Sequence, residues 1–597
     1  MSRIKRVVLF QPASAGGNFE YVAIPRQGML FLSGALAQWE GPNLYEREIW
    51  FEDRSGLIDP EKELDGVDIL MVTALINEAP RGYQIARLAK KYHPNIITIG
   101  GGPQMSPLPE EAFGYGDFDV VVQREGEDII GQLCDVLLEH RGPSRNSYLS
   151  KVPGISYRED SQIVWTKRVG LVSPDFVELP DFRSIKDLSS SNPMAGGVME
   201  TIRGCTEKCT YCQVIQQFLG YRLVSRETEF KRLEQLRQLA DDGLIHTSRN
   251  GSFQVFVSDD LHPPPLRAVK FRNERVARLH AWKGRTDGMN LICQARAEIG
   301  QDPEMADALQ NANVKMLYLG VESDNAENLK AVNKRQEPGQ MHKDLEYLNN
   351  KGFTVVAMTI IGLPYDTEES IMALADWVTQ VSKYQTANFL TPLPATSNWD
   401  ALQPLNSEGG LLGEGEMRPY HLYTGRQLVH YDERWSMQES QEIFDQFTGR
   451  LSPVDDVYRR VFRILRTYKL RLAATSRDLS DTITARLSEA TDNLRNWADP
   501  VSLTGQEFGD TLSLRVGELV ETLKAVSQPL ANVKNDAADG IGTRLNELNE
   551  SLKTMADSTA RGNREMAANI SSRITEITVL IDKAVPGGRK GTEKVPS

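Results

Sequence analysis

Cysteine is scarce in this chain, five among 597 residues, and so few cannot staple a protein of this length, which excludes a disulfide framework. Long apolar runs are missing as well. Nothing approaches the roughly 18 consecutive apolar residues that a membrane-crossing helix needs. The start of the chain carries Arg3, Lys5 and Arg6, but the apolar run Val7–Phe10 behind them is too short for the core of a secretion signal. Positive charge is in deficit too: 68 Lys and Arg stand against 81 Asp and Glu, a net charge of −13, which argues against a nucleic-acid partner. From these absences a cytoplasmic protein is expected. What is present fits that reading. Hydrophobic residues make up 40% and charged residues 25%, as in a soluble chain with a real core, and the length suggests about three or four domains.

The few cysteines are not scattered. Three of the five fall in Thr201-Ile-Arg-Gly-Cys205-Thr-Glu-Lys-Cys209-Thr-Tyr211-Cys212, a C-x3-C-x2-C triplet. Three thiolates on one tight loop can wrap one iron–sulfur cluster, because thiolate is the ligand such clusters take. A 4Fe–4S cube has four irons, so a local triplet leaves one open to a non-protein ligand, and an open iron points to catalysis. Structural zinc would need four ligands, usually in two separated pairs, and no second pair follows. Cys134 and Cys293 lie in apolar stretches and read as core residues.

The triplet, with the aromatic Tyr211 just before its third cysteine, resembles the signature of radical S-adenosylmethionine (SAM) enzymes. The resemblance implies that Cys205, Cys209 and Cys212 hold a 4Fe–4S cluster whose open iron takes the amino and carboxylate groups of SAM. An electron then cleaves SAM to a 5′-deoxyadenosyl radical, which abstracts hydrogen from an unactivated carbon. Tyr211 is expected near the adenine, and a donor such as flavodoxin or ferredoxin is expected to supply the electron.

Upstream, β-rich apolar runs recur at Arg6–Gln11, Glu48–Asp53, Val67–Thr73, Asn95–Gly100 and Phe118–Gln123, with helical patterns between them. Such alternation signals βαβ units and a parallel sheet. The fourth run ends in Gly100, Gly101 and Gly102, and the fifth leads into Glu125, Gly126 and Glu127. Glycines after a strand let a ligand approach the carboxyl edge of the sheet, although a tight turn explains them equally well. Taken in order, these segments resemble the Rossmann-like cobalamin-binding domain that precedes many radical SAM domains, over residues 1–140. By that resemblance the six residues are cobalamin contacts. The Asp-x-His-x-x-Gly motif that supplies an axial histidine in many cobalamin proteins is absent, and the first histidine is His93. The expected cobalamin therefore has no protein histidine on cobalt, and an empty domain is the alternative.

Residues 141–195 read as a connector with a hairpin over Gly154–Trp165. Strand–helix alternation resumes over 196–400, with strands expected at Val198–Ile202, Phe253–Val257, Asn290–Ala295, Met316–Leu319, Thr354–Ile361 and Asn388–Leu390. Six βα units suit the partial (β/α)6 barrel of radical SAM enzymes, whose chemistry sits at the carboxyl ends of the strands. Unusual polar residues stand at those ends: Asp259, Asp260 and His262 after the second strand, Gln294 and Arg296 on the third, Glu322 after the fourth and Gly362 after the fifth. The resemblance implies that Glu322, Gln294 and Arg296 line the SAM site and that the Gly362 turn supports the adenine. Asp259 and Asp260 are cofactor-binding candidates, with a helix cap or solvated loop as the plain alternative.

Residues 401–470 read as an extension covering the site. Over 471–585, Val516, Leu519, Leu523, Val526, Leu530 and Val533 step by three and four, as do Ile541, Leu545, Leu548, Leu552 and Met555. That is an amphipathic helical or coiled-coil pattern, too thin to make a core alone. Its seams are expected to pair within an oligomer or with a partner. Contact with a membrane surface is the other use of such helices, disfavoured here by the lack of aromatics and of a basic face. Residues 586–597 read as disordered.

The expectation is therefore an α/β enzyme with a cobalamin domain, a radical SAM barrel and a helical tail. It would transfer a methyl group to an unactivated carbon of a small-molecule or lipid substrate. The rivals are a radical oxidative cyclisation on the same scaffold, resembling that of the anaerobic magnesium-porphyrin cyclases, and a decayed scaffold acting through its tail.

Overall fold

The structure is a computed structural model that describes residues 4–13, 25–168 and 170–451. The tail over 471–597, and the part of the extension beyond Leu451, lie outside the described residues.

The first sheet contains β1 (Lys5–Gln11), β2 (Tyr45–Phe51), β3 (Ile69–Thr73), β4 (Ile97–Gly101), β5 (Val120–Val122), β6 (Ile155–Glu159) and β7 (Gln162–Trp165), in the order 2-1-3-4-5-6-7. The first five strands are parallel. Their near-continuous apolar runs follow from burial on both faces, as at Ile69, Leu70, Met71 and Val72. The connector hairpin joins this sheet, because β6 pairs antiparallel with β5 and β7 with β6. A three-residue β5 would otherwise present a bare edge, so the sheet runs past residue 140 and ends at Trp165. The order 2-1-3-4-5 reverses between β1 and β3, an arrangement that leaves a crevice at the carboxyl edge.

After β8 (Gly197–Met199) the chain forms a small antiparallel ribbon from β9 (Ile202–Arg203) and β10 (Arg222–Leu223). The expected first barrel strand is thus split in two at Glu200 and Thr201. There follow β11 (Phe253–Val257), β12 (Met289–Arg296), β13 (Val314–Glu322), β14 (Thr354–Ile361) and β15 (Tyr384–Phe389). The second sheet is fully parallel, in the order 15-14-13-12-11-8. Its edge strands β8 and β15 do not pair, so the barrel stays open. Helices Arg226–Asp241, Val269–Trp282, Pro303–Asn311, Pro338–Asn350 and Glu368–Val381 follow successive strands.

Both sheets lie in one compact unit that ends at Asp445. The extension contributes to this unit's core. Tyr420, Tyr423 and Val429 are buried with Ala79, Tyr83 and Phe113 of the first sheet's helices, and the Tyr420 hydroxyl donates to Glu111 at 2.8 Å.

Candidate active site at the facing sheet edges

The cysteine loop hangs between the strands of the β9–β10 ribbon, which closes its base. Gly204 has φ +86°, and a Cβ there would stand 2.0 Å from the carbonyl oxygen of Gly220. Only glycine lets the loop return so close to itself. Cys205 and Cys212 are half-buried and Cys209 is buried. The Glu207 N–H donates to Cys205 Sγ at 3.4 Å. Burial, with help from Asp260 and the neighbouring thiols, pushes Cys205 up to about 11 and Cys212 up to about 12. Cys205 and Cys212 must release their protons to bind metal. The same enclosed ground raises Asp260 to about 7, through burial first and the charges of Asp259 and Glu200 next.

The loop is gripped from the far side of the barrel by residues 332–336. The Thr210 N–H donates to Val332 O at 3.2 Å, and Asn333 Nδ2 donates to Lys208 O at 2.7 Å. Arg296 braces this segment: its guanidinium donates to the carbonyls of Lys334 and Arg335 and lies 3.4 Å from Glu298. Gln336 Nε2 adds a bond to Gly320 O at 3.1 Å. Glu322 ends β13 in the left-handed region, φ +62°, just past a register shift in the pairing with β14. A non-glycine residue holds that conformation only where its surroundings insist on it, and here they do. Lys334 donates to Glu322 Oε1 at 2.6 Å and the Tyr211 hydroxyl to the same oxygen at 2.9 Å. The Tyr211 ring packs on Val332, Leu363 and Leu390. Burial, then Glu322, keep its phenol well above the usual range. Gln294 is half-buried on β12, where its side-chain amide donates to Asp259 O at 3.5 Å.

Asp259 serves the backbone. Fully buried, it accepts from the N–H groups of Thr201 at 2.6 Å and Ile202 at 2.8 Å, from the Thr201 hydroxyl and from His262 Nδ1 at 2.7 Å. Those donors fill its lone pairs, so it fixes the turn between β8 and β9 from which the cysteine loop emerges, and has no oxygen left for a cofactor. Among the described residues no three His, Cys, Asp or Glu side chains converge on a single metal ion, which leaves His262 and the neighbouring acids without a third ligand for a mononuclear site.

Gly362 ends β14. The loop after it is held by Asp366, which accepts from the Leu363 N–H at 2.9 Å, and by a residue the sequence did not single out. Arg434 of the extension donates to the carbonyls of Leu363 at 2.7 Å, Pro364 at 3.1 Å and Asp366 at 2.9 Å. The site therefore reaches past residue 400.

The carboxyl edge of the first sheet meets the cysteine loop directly. Gln213 Nε2 donates to Pro103 O at 2.7 Å and to Pro394 O at 2.9 Å, and Gln217 Nε2 donates to Arg124 O at 3.0 Å. Glu125 and Glu127, expected to touch a cofactor, are instead ion-paired with Arg203 at 2.9 and 2.8 Å. Gly126 packs toward Val122 and Leu32. The glycine triplet divides. Gly100 faces Met105 and Phe118, and Gly102 (φ +82°) faces Thr73, where a Cβ would stand 2.2 Å from the hydroxyl. Packing accounts for both. Gly101 is extended, and a Cβ on it would meet nothing closer than 3.8 Å. Its bare backbone has no structural need, which suits a ligand lying against it.

Comparison with known proteins fits this geometry. Residues 199–378 match the Radical SAM superfamily. Over 408 residues the chain is 22% identical to an uncharacterized methyltransferase of Pyrococcus horikoshii, covering 67% of this chain and 83% of that one. It is 24% identical to the hopanoid C-3 methylase of Methylococcus capsulatus over 327 residues, 54% of this chain, and spans 58% of that relative's length. Among solved structures, the cobalamin-dependent SAM radical enzyme OxsB with aqua-cobalamin and SAM bound superposes with a TM-score of 0.59 at 14% identity, covering 96% of this chain and 84% of that one. Residues 199–378 thus match a radical SAM domain, and the chain shares the fold of OxsB.

Proposed function

We propose that this protein is a cobalamin-dependent radical SAM methyltransferase acting on an unactivated carbon of a small-molecule or lipid substrate. The observation that carries the reading is the direct contact between the carboxyl edge of the first sheet and the cysteine loop of the barrel. A cluster held by three thiolates would supply the electron that cleaves SAM, and a cobalamin against Gly101 would supply the methyl group across that contact. The residues fit both groups. Cys205, Cys209 and Cys212 offer three thiols on one loop, with a backbone N–H already on one sulfur. Glu322 presents a carboxylate to an ammonium or hydroxyl, Gln294 offers a half-buried amide on β12, and the Tyr211 ring forms an apolar face for an adenine. Arg296, Asp259, Glu125 and Glu127 act one layer further out and hold the backbone that carries these groups. The methylating relatives support transfer over cyclisation, and the intact loop opposes a decayed scaffold.

The test is anaerobic reconstitution with iron, sulfide and hydroxocobalamin, followed by an optical spectrum and mass analysis of SAM products. 5′-Deoxyadenosine together with S-adenosylhomocysteine is expected. 5′-Deoxyadenosine alone, with no cobalamin taken up, overturns methylation. Replacing any one cysteine of the triplet by Ala should abolish SAM cleavage, because two thiolates do not hold a cube; unchanged iron content and cleavage in the triple variant would remove the radical reading altogether.

A further inference from the structure

Arg203 lies two residues before the first cluster cysteine and is 3% exposed, yet the signature of the loop gives it no task. Its guanidinium contacts three carboxylates: Glu200 of its own turn at 2.9 Å, and Glu125 at 2.9 Å and Glu127 at 2.8 Å on the edge of the first sheet. Directly across the ribbon, Arg222 is its register partner, and like charges so placed repel. Glu125 resolves the conflict by taking Arg222 Nη2 on its other oxygen at 2.8 Å. Phe31, from a helix of the first sheet, lies under Arg203 at 5.1 Å and completes the socket. An ion pair this buried is a poor source of net stability but a strict geometric constraint, since any shift leaves charges uncompensated.

We propose that Arg203 is a positioning residue that clamps the carboxyl edge of the first sheet onto the cluster loop, and thereby couples SAM cleavage to delivery of the methyl group. The inference rests on the function proposed above. The cysteines keep their own loop contacts when the clamp is cut, so cleavage continues, while the spacing between the two edges relaxes. A misplacement of about 1 Å between reacting groups costs on the order of a hundredfold in rate.

The experiment uses Arg203→Met, Arg203→Lys and Arg222→Gln in the full chain. In reconstituted protein with its iron retained, Arg203→Met should yield up to about a hundredfold more 5′-deoxyadenosine per S-adenosylhomocysteine than the parent. Arg203→Lys, which keeps one charge, should recover part of the coupling. In the metal-free and cobalamin-free chain, backbone amide exchange should quicken in peptides covering 100–106, 122–128 and 213–217 and stay unchanged in β12–β14. If Arg203→Met does not fold, Arg222→Gln should show the same pattern at smaller amplitude, about threefold, because it loosens one link only. An unchanged product ratio overturns the proposal, as does faster exchange spread evenly through β12–β14, which marks a general folding role. If the parent itself makes no S-adenosylhomocysteine, the function fails, while the exchange pattern still decides the clamp.

Discussion

Lys334 shows how a single side chain can complete a site that its neighbours in sequence do not announce. Glu322 is 6% exposed and strained, and without the ammonium at 2.6 Å its carboxylate would be buried uncompensated. Lys334→Met should therefore cost up to about 3–5 kcal/mol of stability. It should also weaken SAM binding about tenfold with iron content intact, read by equilibrium binding; the double variant with Glu322→Gln should regain stability, since removing both partners is close to neutral, without regaining SAM. Equal affinity in Lys334→Met would show that Lys334 is only a strut. His430 offers a pH signature. Burial holds it at about 4, below its ordinary 6.5. A lowered folded value means that the unfolded chain takes the proton first, so His430 contributes fully above about 6.5 and loses about 3 kcal/mol as pH falls toward 4. His430→Leu should flatten the fall in thermal midpoint between pH 6.5 and 4 relative to the parent. Parallel curves would refute the assignment.

At the level of elements, the site is a set of strand ends tied together by loops. The turn after β8 is set by Asp259, the end of β13 by Glu322 and Lys334, and the loop after β14 by Arg434. Most strands were legible as short apolar runs closed by glycine or polar residues, and their ends located Gln294, Arg296 and Glu322. The last lies at Tyr384–Phe389 rather than Asn388–Leu390, because its polar Gln385 and Asn388 mask it. The cysteines were legible because cluster ligands on one loop obey a local spacing. Arg434 was not, since it lies 68 residues beyond Asp366 and carries no pattern of its own. Arg434→Met removes three charge-assisted bonds from the loop after β14. The loop remains tethered by Asp366, so the effect should be about a tenfold rise in the KM for SAM in uncoupled cleavage, less than the full value of the lost bonds, with the cluster spectrum unchanged. An unaltered KM would remove the extension from the site.

For the whole molecule, the two sheets lie in one compact unit with charged groups buried between them, and among the described residues every member of the candidate site lies at or before Arg434. A chain ended at Leu470 should accordingly hold its cluster and cleave SAM at the parental rate. Loss of cleavage in such a chain with full iron content would place part of the active site in the tail. The sequence by itself determined the C-x3-C-x2-C triplet, the two α/β sheets and most of their strand ends, because residue spacing, apolar periodicity and strand termination are local properties of a chain. It also supplied Glu125, Glu127, Asp259 and Arg296 as polar residues at strand ends, but not their use. Only the tertiary structure decided which protein groups these four pair with, that the connector hairpin closes the first sheet, and that Arg203 meets Glu125 and Glu127, Lys334 meets Glu322 and Arg434 meets the loop after β14. Each of those outcomes depends on which charged or backbone group a residue meets across the fold, and that partner lies 12 residues away along the chain for Lys334 and Glu322 and 78 for Arg203 and Glu125.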